Sequence, residues 1–284
     1  MSNVGQFASV GQLAIMLAYL FLWIALLIYI VQARLGKSPA GWLSSGSLLV
    51  NLGLLSAGLI QRGLEAGHWP LTNRYEFALC FSWAISGIYL LLESSWRERR
   101  AGPFVAVIAL LVTTYAITRP PGDREIYPLL PALRSTWLQV HVLSASLGYG
   151  AAGVAAGLGI ARLMPAGAPS EGEQHPWLPP RSQVEHTMER AIALGFPWLT
   201  LGLLTGAIWA QSAWGRYWNW DPKETWALVT WLWYLLILHI RSLRNWRGKR
   251  LAVLVILGFG IVIFTFIGVP WLVRTVRLES LHGF

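Results

Sequence analysis

Eight stretches of the chain carry almost no charge and are apolar enough to be read as helices crossing ~30 Å of hydrocarbon, at about 20 residues apiece. They run near 11–33, 41–61, 76–93, 103–118, 137–163, 191–213, 225–240 and 251–273. The pattern predicts an all-α polytopic membrane protein with about eight transmembrane helices. The first run has no basic residue before it and is too long for the apolar core of a signal peptide, so it is expected to persist as a helix.

The polar residues between these runs give an expected orientation. Arg34 and Lys37, then Arg97, Arg99 and Arg100, then Arg162 and Arg181, then Arg241, Arg244, Arg247, Lys249 and Arg250 fall in alternate loops. The positive-inside rule assigns those loops to the cytoplasm. Both termini are then external. With no internal repeat or low-complexity tract, residues 1–284 read as one integral membrane domain. The polar, Pro- and Gly-rich insertion at 165–188 reads as a flexible cytoplasmic loop.

Composition adds little except exclusions. At 55% hydrophobic and 12% charged residues, the chain suits a bilayer rather than water. The net charge of +9 sits in the short cytoplasmic loops and calls for no nucleic acid. Cys80 is the single cysteine, so a disulfide, a CxxC pair and covalent haem attachment to this chain are all excluded. Any thiol chemistry has to come from partners.

The external loops hold the candidate chemistry: Gly67 to Glu76, Arg119 to Arg134, a tryptophan-rich loop at about 209–226, and the tail ending Leu281-His282-Gly283-Phe284. These four pieces are expected to meet on one face, since burying them in lipid is costly. Between Trp209 and Trp233 lie seven of the 17 tryptophans. An aromatic belt at headgroup level accounts for Trp209, Trp231 and Trp233, which fall within spans. It does not require Trp214, Trp218 and Trp220 crowded into one loop, where they offer a platform for a flat apolar ligand such as porphyrin. In Asp221-Pro222-Lys223-Glu224 the aspartate is placed to cap the seventh span, with proline at the first helical position and Glu224 at the third.

Histidine placement separates two depths. His141 lies four residues after Trp137, shallowly below the external surface, whereas His239 lies 18 residues beyond Asp221, roughly 27 Å deeper at helical rise. No small ligand bridges both. Ionisable side chains in a span favour a functional role, and His141 together with His282 offers two imidazoles near the tryptophan face, a standard way to hold haem iron. Zinc lacks its usual donors here, with no HExxH and no cysteine pair. Haem propionates want cations, which Arg216, Lys223, Arg74 or Arg124 could supply. His175 and His186 lie in the polar insertion and read as solvated, and His68 stays outside the ligand set. The glycines of span five, including Gly153-Val-Ala-Ala-Gly157, read first as a helix buried at the centre of the bundle.

The run Trp214-Gly-Arg-Tyr-Trp218-Asn-Trp220-Asp221-Pro-Lys223-Glu224-Thr-Trp226 closely resembles the WWD signature of haem-handling proteins, and more narrowly that of the CcsA/ResC family of system II cytochrome c biogenesis. Gly67-His68-Trp69-Pro70-Leu71-Thr72-Asn73-Arg74-Tyr75-Glu76 is similar to the family's GHFPLSNLYE element, Trp137-Leu-Gln-Val-His141 to its helix with the first external histidine, and Leu238-His239-Ile-Arg241 to its LHTR. The resemblance implies a haem transporter and cytochrome c synthase subunit acting with a CcsB/ResB partner, thiol-reducing proteins and apocytochrome c. It implies haem b at the external loop with His141 and His282 as axial ligands, and a second, transmembrane haem on His239. The setting would be a bacterial cytoplasmic membrane, or a thylakoid membrane for a plastid type. Two departures stand out: the tail reads Leu281-His282-Gly283-Phe284 in place of LHSYG, and no further span histidine completes an inner site. Two other readings remain open. One is a delivery or export subunit that loads haem onto a chaperone without forming the thioether; the other is a cofactor-free structural subunit.

Overall fold

The computed structural model describes residues 4–35, 42–96, 99–165, 178–244 and 246–276. Every apolar run becomes a helix, because in lipid the backbone must satisfy its own hydrogen bonds. In chain order the helices are α1 (Val4–Leu35), α2 (Trp42–Ala66), α3 (Arg74–Trp96), α4 (Gly102–Ile117), a single turn α5 (Pro121–Arg124), α6 (Thr136–Leu163), α7 (Arg181–Trp214), α8 (Pro222–Arg244), α9 (Lys249–Ile263) and α10 (Val269–Val276). A π turn at Phe264–Gly268 joins α9 to α10. Seven of the resulting spans have the length and apolarity to cross a membrane, and the 16-residue α4 is a shorter apolar helix.

One boundary differs from the sequence reading. The polar stretch 165–188 is not all loop, since α7 is helical from Arg181, with Val184 and Met188 fully buried. Apolar residues three and four apart carry that amphipathic start, and the polar residues between them masked it. His186 is therefore an exposed helical residue.

The antiparallel crossings leave two loop faces. One holds loops 67–73, 118–135 and 215–221, called here the tryptophan face; the other holds Arg99, Arg100, Arg162, Arg181, Arg241 and Arg244, the basic face. Helix α6 runs through the centre against α3, α4, α7 and α9. Its glycines serve close packing, as expected: a Cβ at Gly150 would lie 2.6 Å from that of Ala84, and one at Gly157 would lie 3.0 Å from the Val105 backbone.

Buried polar side chains tie the helices where no hydrophobic force acts between them. Asn51 Nδ2 donates to the Ala18 carbonyl at 2.8 Å and its Oδ1 accepts from Ser86 at 3.1 Å. At the basic face Glu93 accepts from Tyr29 Oη at 2.6 Å and from Ser45, with Arg99 Nε 3.5 Å away, locking α1, α2 and α3 together. Near mid-depth, Thr230 and Thr265 hydroxyls meet at 3.0 Å and join α8 to the π turn.

Candidate functional site

Beneath the tryptophan face lies a cleft of about 1400 Å³, its open mouth included. Its walls come from segments far apart in sequence: Leu71 to Arg74 ahead of α3, His141 to Tyr149 of α6, Leu199 to Trp209 of α7, Tyr217 and Trp218 of the loop, and Lys223 to Trp231 of α8. Three of the four loop segments expected to converge do so. The fourth, the tail with His282, lies outside the described residues.

The tryptophan loop is set by its two ends. At one end Gly215 adopts φ 75° and its N–H donates to the Gln211 carbonyl at 3.0 Å, stopping α7 in the left-handed conformation glycine tolerates. At the other end Asp221 Oδ1 accepts from the Lys223 N–H at 2.9 Å, while Glu224 Oε2 accepts from the Asp221 N–H at 3.3 Å and the Asn219 N–H at 2.8 Å. That is the reciprocal cap expected from Asp-Pro-Lys-Glu. It draws the chain so tightly that Trp220 takes φ 56°, rare for a non-glycine residue.

His141 is five residues into α6, about 7.5 Å along the axis. Its Nδ1 donates to the Gly202 carbonyl at 2.7 Å, so the lone pair of the neutral ring resides on Nε2. Metal-binding histidines are held in this way, the second nitrogen fixing tautomer and ring plane. Trp209 stacks on the imidazole at 6.3 Å with planes 14° apart, and its Nε1 donates to the Ala132 carbonyl at 2.9 Å. Gly206 makes room for the ring, since a Cβ there would stand 2.7 Å from Nδ1.

The expected site residues divide. His141, Trp218 and Lys223 line the cleft, joined by Arg74. Trp214 does not line it but packs edge-on against Trp209 at 5.8 Å, and Trp220 packs edge-on against Trp218 at the same distance while facing outward. Arg216 is exposed and bonds Asn219, whereas Asp221 is buried as the helix cap. Arg124 gives its carbonyl to Arg62 at 2.7 Å and does not line the cleft. His239 is exposed near the far end of α8, about 25 Å along the axis from its start.

Sequence reasoning missed two tryptophans. Trp209 and Trp231, assigned to a belt, both line the cleft, and Trp231 Nε1 also donates to Thr200 Oγ1 at 2.9 Å. Trp233 does pack, donating to the Leu254 carbonyl at 2.9 Å. The overlooked signal was Gly202-Leu-Leu-Thr-Gly206, a small-xxx-small pair that brings another helix close.

A family described as cytochrome c assembly protein matches residues 71–277. The chain is 33% identical to the cytochrome c biogenesis protein CcsA of Nostoc sp. strain PCC 7120, covering 89% of this chain and 92% of that one. It is 35% identical to CcsA of Chlamydomonas reinhardtii, covering 81% and 70% respectively. Among solved structures, cytochrome c heme lyase CcmF superposes with a TM-score of 0.68 at 15% identity, over 92% of this chain and 46% of that one. That likeness concerns the fold, and the chain spans about half the length of that protein. The match across the cleft-forming segments and both flanking halves places this multi-pass membrane protein in the cytochrome c assembly family, among the CcsA proteins, with a role in cytochrome c maturation.

Proposed function

We propose that the chain is the haem-handling subunit of a cytochrome c synthase, presenting haem in the cleft for thioether attachment to the CxxCH segment of apocytochrome c. The observation that carries this reading is His141, whose Nδ1–Gly202 bond of 2.7 Å presets a ligating Nε2 on a cleft wall. The donor set suits haem b. One imidazole is oriented for iron, Trp209, Trp218 and Trp231 supply flat apolar contact, and Arg74 and Lys223 supply charge for two carboxylates.

In this reading His282 gives the second axial imidazole. His239 belongs to a separate transmembrane haem whose other ligand comes from a CcsB/ResB-like membrane partner. The tryptophan face is external, periplasmic in a bacterial cytoplasmic membrane or lumenal in a thylakoid. Thiol-reducing proteins keep the CxxCH cysteines ready. Each thiol adds across a vinyl group, its sulfur bonding one carbon and its proton ending on the other. No side chain in the cleft needs to act as a dedicated acid or base; the contribution of this chain is positioning and exclusion of oxidant.

The test is purification in detergent, with and without the partner, followed by oxidised and dithionite-reduced spectra and a pyridine haemochrome assay. A six-coordinate b-type spectrum that collapses in His141→Ala, with the protein still folded, is expected. Colourless protein in both preparations sinks the proposal, and covalent haem accumulating on a partner chaperone would instead favour the delivery role.

A further inference from the structure

The buried arginine of α2 lies outside the cleft yet touches both of its rims. Arg62 is 8% exposed and Glu76 1%. Arg62 Nε donates to Glu76 Oε1 at 2.7 Å, Nη1 to the Arg124 carbonyl at 2.7 Å and Nη2 to the Glu125 carbonyl at 3.1 Å, while the guanidinium lies 5.1 Å from the Tyr75 ring centroid. On its far side Glu76 Oε2 accepts from the Thr72 N–H at 2.8 Å and the Thr72 hydroxyl at 2.9 Å, and the Glu76 N–H donates to Asn73 Oδ1 at 2.9 Å. Thr72, Asn73 and Arg74 form one rim of the cleft.

The segment 119–134 forms another rim. It carries no long helix, most of it is exposed, and Leu133 dips into the cleft. Two buried side chains tie it to the bundle: Arg62 at residues 124 and 125, and Trp209, through Ala132, at the other end. Trp209 is the ring stacked on His141. Fixing the strap at 124–125 therefore fixes the carbonyl that orients the tryptophan behind the ligating imidazole.

We propose that Arg62, set by Glu76, is a positioning residue for the haem cleft, coupling the Thr72–Arg74 rim to the 119–134 strap and through it to Trp209 and His141. A buried ion pair gains little by attraction alone once desolvation is counted, and is retained where extra hydrogen bonds satisfy it. Here those bonds go to loop carbonyls that otherwise have few tethers. Only a guanidinium reaches three acceptors in one plane; a lysine in its place keeps the charge and loses the fork.

This inference rests on the haem reading for its functional arm, but its structural arm does not. The experiment compares wild-type full-length protein, Arg62→Lys and Glu93→Gln in nanodiscs. It uses hydrogen–deuterium exchange over 119–135, haem titration followed at the Soret band, and thermal melting. Arg62→Lys is expected to melt near wild type yet exchange faster across the strap and bind haem about tenfold more weakly, the lower end of losses from orienting-shell changes. Glu93→Gln, at the basic face, is expected to lower melting and leave strap exchange and haem affinity unmoved. Should Arg62→Lys fail to fold, Trp209→Phe removes the other tether while keeping a ring, and the same strap signature is expected. Unchanged strap exchange in the folded Arg62→Lys or Trp209→Phe protein, or equal changes in Glu93→Gln, overturns the proposal. If wild type binds no haem, the haem reading falls while strap exchange still decides the coupling.

Discussion

Replacing Gly206 by alanine tests the imidazole geometry without touching the ligand itself. The added Cβ would stand 2.7 Å from His141 Nδ1 and 2.8 Å from Cε1, whereas ordinary contact begins near 3.4 Å. The ring must retreat by about 0.7 Å or rotate, and a retreat of that size stretches the 2.7 Å bond to the Gly202 carbonyl beyond the ~3.2 Å limit for an N–H···O contact. Two effects oppose each other in stability: overpacking costs about 1–3 kcal/mol, and alanine gains about 1 kcal/mol over glycine within a helix. The net destabilisation is then roughly 0–2 kcal/mol, small enough for the bundle to persist. Losing the bond that orients a metal-bound histidine typically costs about 10–100-fold in affinity, or about 1.4–2.7 kcal/mol. The assay is haem titration of wild type and Gly206→Ala in detergent, with low-temperature electron paramagnetic resonance of the ferric form. A weaker, spectrally shifted complex in a protein that still melts cooperatively is expected. Equal affinity with an unaltered low-spin signal would refute the claim that the Gly202 carbonyl holds His141 for iron.

Three further outcomes follow from the same geometry. Asp221→Ala removes the cap of α8 and should cost about 0.5–2 kcal/mol, seen as earlier thermal unfolding, while Asp221→Asn, which still accepts from the Lys223 N–H, should stay near wild type. Arg74→Gln combined with Lys223→Gln should weaken haem binding but leave the binding of haem dimethyl ester unchanged; equal loss for both ligands would show that the two cations do not meet the propionates. His239→Ala should leave the cleft haem spectrum intact and lower only the total haem recovered, because His239 sits near the opposite end of α8; a change in the cleft signal contradicts the two-site arrangement.

The helices were legible because lipid leaves the backbone little choice, so apolar run length alone marks each crossing. The Asp221 cap was equally legible, since it depends on four adjacent residues. What sequence could not assign was the company each tryptophan keeps. Trp209 and Trp214 are five positions apart on one helix, yet only Trp209 reaches the cleft, and that depends on how α7 is rotated against α6. Arg62 was invisible for a similar reason: its acceptors are carbonyls 62 and 63 residues away, and no local pattern announces them. The early start of α7 escaped notice because the stretch from Arg181 to Arg190 is polar on its outer side and buries only a narrow apolar stripe.

The π turn at Phe264–Gly268 makes the last crossing sensitive to residue count rather than to hydropathy. A π turn accommodates one residue more than an α turn, and each residue rotates a helix by about 100°. Deleting a single apolar residue there would barely shorten the span, but it would swing every downstream side chain by more than a quarter of a circle. Thr265, which bonds Thr230 of α8 from within that turn, pins the phase. The final helix thus keeps time by a surplus residue, and homologues that lack it must aim their C-terminal segments by another means.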